Sequence, residues 1–252
     1  ITHYNSNYVS ESLKHWVKQG LIVKLESGNP QYYIKNPYNP DKHLEPSATS
    51  LSRKYFEKNI ESKLNPELLT ILKHVSLERN NYRFQKPNTP PKLKALQDAI
   101  LSIETRPLLR ISQLVNRALP KLKWNIDNGT FYDRDSKIGK DYLEGNMNSE
   151  LIGPEYGIFK SDQCRLGLFL LEPNIFYKDH KHETPELYLN LTNGTQWRFE
   201  DLDWQEKAAG SVVFNESYKV HGINVKSNPF LSIWYWPVNS EEKCILVPKS
   251  DW

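Results

Sequence analysis

Two histidines, a glutamate and a tyrosine lie close together in the stretch HKHETPELY, residues 180–188. His180 and His182 are two residues apart, as are Glu186 and Tyr188. Because side chains two apart on a β-strand share a face, the members of each pair can point into the same space. His221 lies on a later predicted strand, which in a β-barrel can lie across from them. The spacing predicts a site where side chains from separated strands converge.

These residue types suit a divalent metal ion. Two neutral imidazoles and a carboxylate bind first-row divalent ions and leave coordination positions open for a substrate. We therefore predict a divalent transition metal held by His182, Glu186 and His221, with Zn, Fe, Mn, Co and Ni all compatible. His180 is either a further member of the site or its hydrogen-bonded neighbour. The alternative for the whole group is a solvent-exposed hairpin that happens to be rich in His and Glu.

Composition excludes several classes of function. The 252 residues suffice for one large domain, or for a domain with a sizeable extension. With 33 basic and 30 acidic residues the net charge is +3, which gives no general argument for binding nucleic acid or membranes. No apolar run approaches the about 20 residues that cross a bilayer. Nothing near Ile1 resembles a signal peptide, so a cytoplasmic location is expected. Cys164 and Cys244 match no zinc or redox spacing and are expected to be buried thiols.

The first part of the chain, residues 1–123, has a helical pattern. A helix in SESLKHWVKQGLI is followed by a predicted hairpin, VKLESGNPQYYIKN, with Gly28 and Asn29 as its turn. Further helices are predicted at residues 50–63, 66–79 and 91–103, and in LLRISQLVNRALPKL up to about Leu119, where Pro120 stops the helix. A helix followed by a hairpin can form a DNA-binding winged helix. Because the segment lacks a clustered basic face, a packing appendage is the preferred interpretation.

The second part, residues 124–252, is predicted to be a β-barrel. Short apolar strands separated by turns are predicted in CRLGLFLLEP, ELYLNL, TQWRFE, SVVFN, HGINV, FLSIWYW and CILVP. TNGT predicts a hairpin turn between ELYLNL and QWRFE. The expected fold class is α+β with a mainly β core, in which a helical N-terminal region packs on the barrel.

These motifs resemble a known family. The stretch YKDHKHETPELYLNLTNGTQW, followed by a later glycine-led turn and a histidine, is similar to the two motifs of cupin barrels. It resembles most closely the cupin family of dimethylsulfoniopropionate (DMSP) lyases. The residues that carry the resemblance are Tyr177, His180, His182, Glu186, Tyr188, Gly194 and Trp197. The resemblance covers about residues 91–238, and residues 1–90 are an unmatched extension.

The resemblance implies a ligand set and a reaction. The metal would be held by His182, Glu186, Tyr188 and His221, with His180 beside it as a further catalytic candidate. A tyrosine would act as general base in a β-elimination that converts DMSP to dimethyl sulfide and acrylate. A proton next to a carboxylate is very weakly acidic, so a cation beside the carboxylate is needed. The sequence leaves the choice of base open between Tyr188 and Tyr177.

Aromatic residues are available to bind a sulfonium group. Cations are attracted to aromatic faces, and Trp197, Trp234 and Trp236 are the candidates for substrate binding. Strand alternation predicts that Trp234 points inward if Trp236 does, and that Tyr235 then points outward.

Other functions stay open at this stage. The second motif, FNESYKVHG, has Gly222 after the histidine where the family tends to have alanine, and Thr184 and Pro185 are also departures from its pattern. The alternatives are a cupin enzyme of another class, such as a sugar isomerase or an Fe(II) dioxygenase, and a non-catalytic ligand-sensing cupin. The expected partner is a small-molecule carboxylate, with a homodimer as an open option. Nucleic acid and membranes are not expected.

Overall fold

The computed structural model describes residues 22–25, 31–34, 75–106, 108–238 and 240–252. The chain divides into two compact units, Ile1–Leu44 and Glu45–Trp252. In the first unit, strands β1 (Ile22–Leu25) and β2 (Gln31–Ile34) pair antiparallel, which confirms the strands of the predicted hairpin. Its turn and the predicted helix before it lie outside the described residues, as do residues 50–63 and most of 66–79.

The described helices belong to the second unit. They are α1 (Leu93–Leu101), α2 (Leu108–Ala118) and the short α3 (Lys140–Gly145). The first two confirm the predicted helices, and α2 gives way to a 3-10 turn that contains Pro120, which has no N–H for a helical bond. Residues 75–78, predicted to end a helix, are irregular. Within the described residues, no helix combines the length and apolar character needed to cross a bilayer.

Each predicted strand of the second unit is present, and further strands join them. The strands are β3 (Asn146–Gly153), β4 (Phe159–Lys160), β5 (Arg165–Leu171), β6 (Phe176–Lys181), β7 (Glu186–Asn190), β8 (Thr195–Phe199), β9 (Gln205–Glu206), β10 (Val212–Asn215), β11 (His221–Val225), β12 (Phe230–Trp236) and β13 (Ile245–Leu246). This confirms the mainly β core. The predicted domain boundary at residue 123 stays a prediction.

The strands form two sheets. The larger has the order β10-β7-β12-β5-β3-β4, and the smaller has the order β13-β6-β11-β8-β9. The predicted hairpin at TNGT is therefore wrong, because β7 pairs with β10 and β12 while β8 pairs with β11 and β9. The turn carries the chain from one sheet to the other, with Gly194 in the left-handed region at φ 84°. A turn sequence specifies a reversal of the chain but not the strand that each arm will pair with.

The larger sheet is buried on both faces. Along β12, Leu231, Ile233 and Tyr235 belong to a core cluster that includes the apolar faces of α1 and α2. Phe230 belongs to a second cluster, with Trp234 packed against it, that also contains residues of the smaller sheet. The sheet thus lies between a helical layer and the smaller sheet, and the predicted alternation of Trp234 and Tyr235 is confirmed.

The helical layer gives a test of this architecture. Ile111 on α2 is 1% exposed within the first core cluster, so Ile111→Ala removes buried methyl groups and leaves a cavity. We expect a loss of about 2–5 kcal/mol in the free energy of unfolding. The measurement is chemical denaturation, with Gln113→Ala on the exposed side of the same helix as the control. Equal stability of the two variants would contradict this packing.

Candidate metal centre

The two sheets bring the predicted histidines and the glutamate together. His180 on β6 and His221 on β11 are direct cross-strand partners in the smaller sheet. His182 follows the end of β6 in the smaller sheet, and Glu186 begins β7 in the larger sheet, so the two side chains reach the site from different sheets. All four side chains are at most 4% exposed. The alternative of a solvent-exposed hairpin is therefore wrong.

Local backbone geometry sets the orientation of each imidazole. In all three histidines, Nδ1 lies at hydrogen-bonding distance from a carbonyl oxygen two residues away along the chain. The distances are 2.7 Å from His180 to Lys178, 2.6 Å from His182 to Thr184 and 3.0 Å from His221 to Lys219. Because a carbonyl oxygen only accepts, each neutral ring carries its proton on Nδ1. Each Nε2 is left with a lone pair, as in metal-ligating histidines.

The geometry of these atoms fits a metal ion. Ligand atoms of His180, His182 and His221 lie within 4.8 Å of one another. Oε2 of Glu186 is 3.4 Å from Nε2 of His182 and 3.5 Å from Nε2 of His221. Ligands bound at about 2.1 Å to one ion lie roughly 3.0–3.4 Å apart, so these separations are close to those of a coordination shell. Nε2 of His221 is buried and makes no hydrogen bond. A cation would satisfy that atom.

The protonation states of these groups also suit a metal. Burial lowers the pKa of His180 well below its usual value, and the neighbouring His221 and His182 lower it further. A neutral ring keeps its lone pair. Burial alone would raise the pKa of Glu186, but the adjacent imidazoles of His182 and His221 outweigh it in their protonated form and hold the pKa well below its usual range, as a cation in the same place also would. Glu186 is therefore a carboxylate.

Two further side chains hold the carboxylate of Glu186. The indole Nε1 of Trp236 donates a hydrogen bond of 2.8 Å to Oε1. The amide of Asn215, the cross-strand partner of Glu186 on β10, donates to Oε2 at 3.3 Å. The ring of Trp236 also lies 5.2 Å from that of His182, measured between centroids. Sequence reasoning missed Asn215, since only the strand register places it here.

A β-bulge places Tyr177 on the same face as His180. His221 pairs with His180 and Ile223 with Tyr177, so β6 has one more residue than β11 between these pairs. Without the bulge, residues three apart would point to opposite faces. The ring of Tyr177 instead stacks on that of His180, with centroids 4.4 Å apart.

Tyr177, a predicted candidate base, belongs to a group of buried tyrosines. Sequence reasoning missed the other two members, Tyr132 and Tyr142. The hydroxyl of Tyr177 is 2.6 Å from that of Tyr132, and its ring stacks on that of Tyr142 at 4.2 Å. Tyr142 donates a hydrogen bond of 2.8 Å to Oδ2 of Asp127. Burial raises the pKa of Tyr177, while its hydrogen bonds with Tyr132 and Tyr142 oppose part of that rise. Nothing in the sequence pattern around residues 127–142 marks these residues.

Tyr188 approaches the site from the larger sheet. It shares the inner face of β7 with Glu186. Burial raises the pKa of its hydroxyl well above the usual value, and the adjacent carboxylate of Glu186 raises it further. The two candidate bases thus reach the site from different sheets.

The site opens into a cavity of about 630 Å³. Its wall includes Tyr177, Tyr188, Trp234 and Trp236 but not Trp197. Trp197 is fully buried, and its ring packs against Tyr188 with centroids 5.0 Å apart. Two of the three tryptophans predicted to bind substrate therefore face the cavity, and the third supports Tyr188 from the core.

The cavity wall also carries charged groups that sequence reasoning missed. Glu150 and Arg165 form a buried ion pair with an N···O distance of 3.3 Å. Arg165 is the cross-strand partner of Trp236, which places it on the inner face of the larger sheet. Cys244 also lines the cavity, and both cysteines of the chain are free and buried, as predicted.

Comparison with known proteins identifies the family. The family of DMSP lyases matches residues 67–232, more than half of the chain and beginning upstream of the predicted resemblance. Among solved structures, the DMSP lyase DddQ from Ruegeria pomeroyi DSS-3 is similar at 19% identity and a TM-score of 0.58, covering 80% of this chain and 96% of that one. A chain from the structures of the DMSP lyases RdDddP and RnDddQII is similar at 15% identity and a TM-score of 0.59, covering 81% and 98%. No curated protein matches.

At these identities the solved structures support a shared fold, which is the two-sheet form of the cupin barrel. The family match covers both motifs, from the stretch around His182 to His221. The chain belongs to the DMSP lyase family.

Proposed function

We propose that the protein is a metal-dependent lyase that cleaves DMSP to dimethyl sulfide and acrylate. The observation that carries the proposal is the convergence of three buried imidazoles and one carboxylate, of which His180, His182 and Glu186 line the cavity. His182, Glu186 and His221 would hold the ion, as the sequence predicts. The geometry adds His180, because its ligand atom lies in the same cluster. Tyr188, beside Glu186, is the proposed metal-side tyrosine.

The reaction needs a base, a stabilised carbanion and a leaving group. When bound, a divalent ion supplies positive charge beside the substrate carboxylate, where negative charge develops. A tyrosine oxygen, ionised with the help of the positive charge of the bound ion, would take the proton from the carbon next to that carboxylate. The electron pair of the broken C–H bond forms the C=C bond of acrylate, and the C–S pair leaves with the sulfur as dimethyl sulfide. Tyr177 and Tyr188, which both line the cavity, are the proposed candidates for this base.

The aromatic wall suits the other end of the substrate. Trp234 and Trp236 line the cavity, and their rings lie 5.9 Å apart at 72°. An aromatic face on this wall would attract a sulfonium group through cation–π interactions. The ring of Phe169 also lines the cavity.

Metal removal tests the first part of the proposal. We expect the purified protein to contain about one divalent ion per chain by elemental analysis. A chelator is expected to abolish release of dimethyl sulfide into the headspace, and one of Zn, Fe, Mn, Co or Ni to restore it. His182→Ala and His221→Ala are expected to lose the ion, whereas His43→Ala, outside both motifs, is expected to retain it. Release of dimethyl sulfide that survives complete metal removal would contradict metal dependence. If the metal-loaded protein releases no dimethyl sulfide while a control lyase does, DMSP is not the substrate.

Two conservative substitutions identify the base. Tyr177→Phe and Tyr188→Phe each remove one hydroxyl while keeping the ring. We expect the variant that lacks the base to lose about 10²–10⁴-fold in kcat. Metal content measured on the same samples separates loss of a base from loss of a ligand. Tyr218→Phe, at an exposed position, is the control. Near-normal turnover by both variants would rule out a tyrosine base.

The hydrogen bond that Trp236 donates to Glu186 can be tested separately from the contribution of the Trp236 ring to the cavity wall. Trp236→Phe keeps an aromatic ring at the cavity but removes the Nε1 donor at 2.8 Å from Oε1. We expect metal affinity to fall by about 10-fold or more, as for other groups that orient metal ligands. Trp234→Phe is the matched control and is expected to change KM more than metal affinity. Competition with a metal-binding dye gives the affinities, and equal values for both variants would contradict the orienting role of Trp236.

A further inference from the structure

A buried ion cluster lies on the side of the smaller sheet opposite the histidines. In this sheet β11 runs between β6 and β8. His180 lines the cavity and His221 is its cross-strand partner on the same face, so their neighbours Asp179 and Gly222 face the other side. Arg198 on β8 is the cross-strand partner of Gly222. These positions line up Asp179, Gly222 and Arg198 across three adjacent strands.

Arg198 reaches across the central strand to bind Asp179. Its Nε donates a hydrogen bond of 2.8 Å to Oδ1 of Asp179, and its Nη2 donates to Oδ2. Asp179 is 0% exposed and Arg198 is 8% exposed. Paired hydrogen bonds of this kind fix the geometry of both groups. The interaction therefore ties β6 to β8 over the strand that carries His221.

Gly222 leaves the space that this interaction uses. A Cβ at this position would lie 3.2 Å from both Cγ and Oδ1 of Asp179. The backbone of Gly222 does not have positive φ, so crowding by Asp179, and not backbone conformation, is what favours glycine here. The departure from the family pattern at this position therefore lies directly beside the Asp179–Arg198 pair.

The last residues of the chain complete the cluster. Asp251 accepts hydrogen bonds from Arg198 at 2.6 Å (Nη1 to Oδ2) and 3.0 Å (Nη2 to Oδ1). The indole of Trp252 donates to Oδ2 of Asp179 at 3.0 Å. Trp204 covers the guanidinium, with its ring centroid 4.4 Å from Cζ of Arg198. One guanidinium is thus held by two carboxylates and an aromatic face.

We infer that the cluster of Asp179, Arg198 and Asp251 positions His180 and His221 for metal binding. The rings of these histidines are 4.3 Å apart between centroids, and their separation depends on how β6 and β11 lie against each other. Asp179 is adjacent to His180 in the chain, and Arg198 reaches Asp179 across Gly222, which is adjacent to His221. The cluster acts through the backbone and touches neither the ion nor the substrate. This inference rests on the proposed metal site but not on DMSP as the substrate.

Metal affinity and stability, measured together, test this role. Asp251→Asn weakens the cluster at a largely exposed carboxylate, and Arg198→Met removes its centre. The control is Lys249→Met, which breaks the nearby Lys249–Asp201 ion pair without touching Asp179. We expect Co²⁺ affinity, measured by competition titration, to fall by about tenfold in Asp251→Asn and further in Arg198→Met. The absorption spectrum of bound Co²⁺ is expected to change in both, while Lys249→Met matches the unaltered protein.

The outcomes separate this inference from the proposed function. If Arg198→Met does not fold, Asp251→Asn alone decides the result. Unchanged Co²⁺ affinity and spectrum in Asp251→Asn, with lowered thermal stability of the metal-free protein, would show a purely structural cluster and overturn the inference. Failure of the unaltered protein to bind Co²⁺ would overturn the proposed function and this inference together. Loss of Co²⁺ affinity in Asp251→Asn and Arg198→Met, but not in Lys249→Met, would support the inference.

Discussion

Three imidazole nitrogens and a carboxylate share a small buried space, and the rest of the site depends on holding them there. Each ring of His180, His182 and His221 donates its Nδ1 proton to a nearby carbonyl oxygen, so the Nε2 lone pairs remain free. Lone pairs and the carboxylate of Glu186 repel one another at these separations unless a proton or a cation lies among them. Such a group does not assemble by its own attraction. The surrounding sheets must therefore supply the free energy that keeps it together.

Both sheets contribute to that restraint in different ways. In the larger sheet, Glu186 is held by Trp236 and Asn215, which are themselves fixed by strand pairing. That sheet is buried on both faces, which limits its movement. The smaller sheet has the cluster around Arg198 on its far side, where Asp179 and Arg198 are buried. Packing restrains one half of the site, and charge-assisted hydrogen bonds restrain the other.

The sequence predicts local features of the site better than its long-range pairing. Strand periodicity predicts that the side chains of His182 and Glu186 point inward. They do so even though they lie where the chain passes from one sheet to the other. The pairing of β7 and β8 could not be predicted, because a turn such as TNGT is the same whether its arms pair together or join different sheets. Tyr177 required a bulge that no residue pattern marks. Trp197 shows a further limit: alternation gives its inward direction, but only the packed structure shows Tyr188 between it and the cavity.

Charge at the cavity orients the proposed substrate. Glu186 is a carboxylate, so without a cation beside it the site repels a substrate carboxylate. A sulfonium group, by contrast, is attracted by the indole faces on the wall whether or not an ion is bound. Under the proposed function, the substrate carboxylate would therefore be accepted at the histidines only together with a cation, and the sulfonium end would point to the tryptophans. This orientation would bring the acidic C–H bond towards Tyr177, which stacks on His180, and towards Tyr188, which shares a face with Glu186. Binding and proton transfer thus depend on the same few atoms.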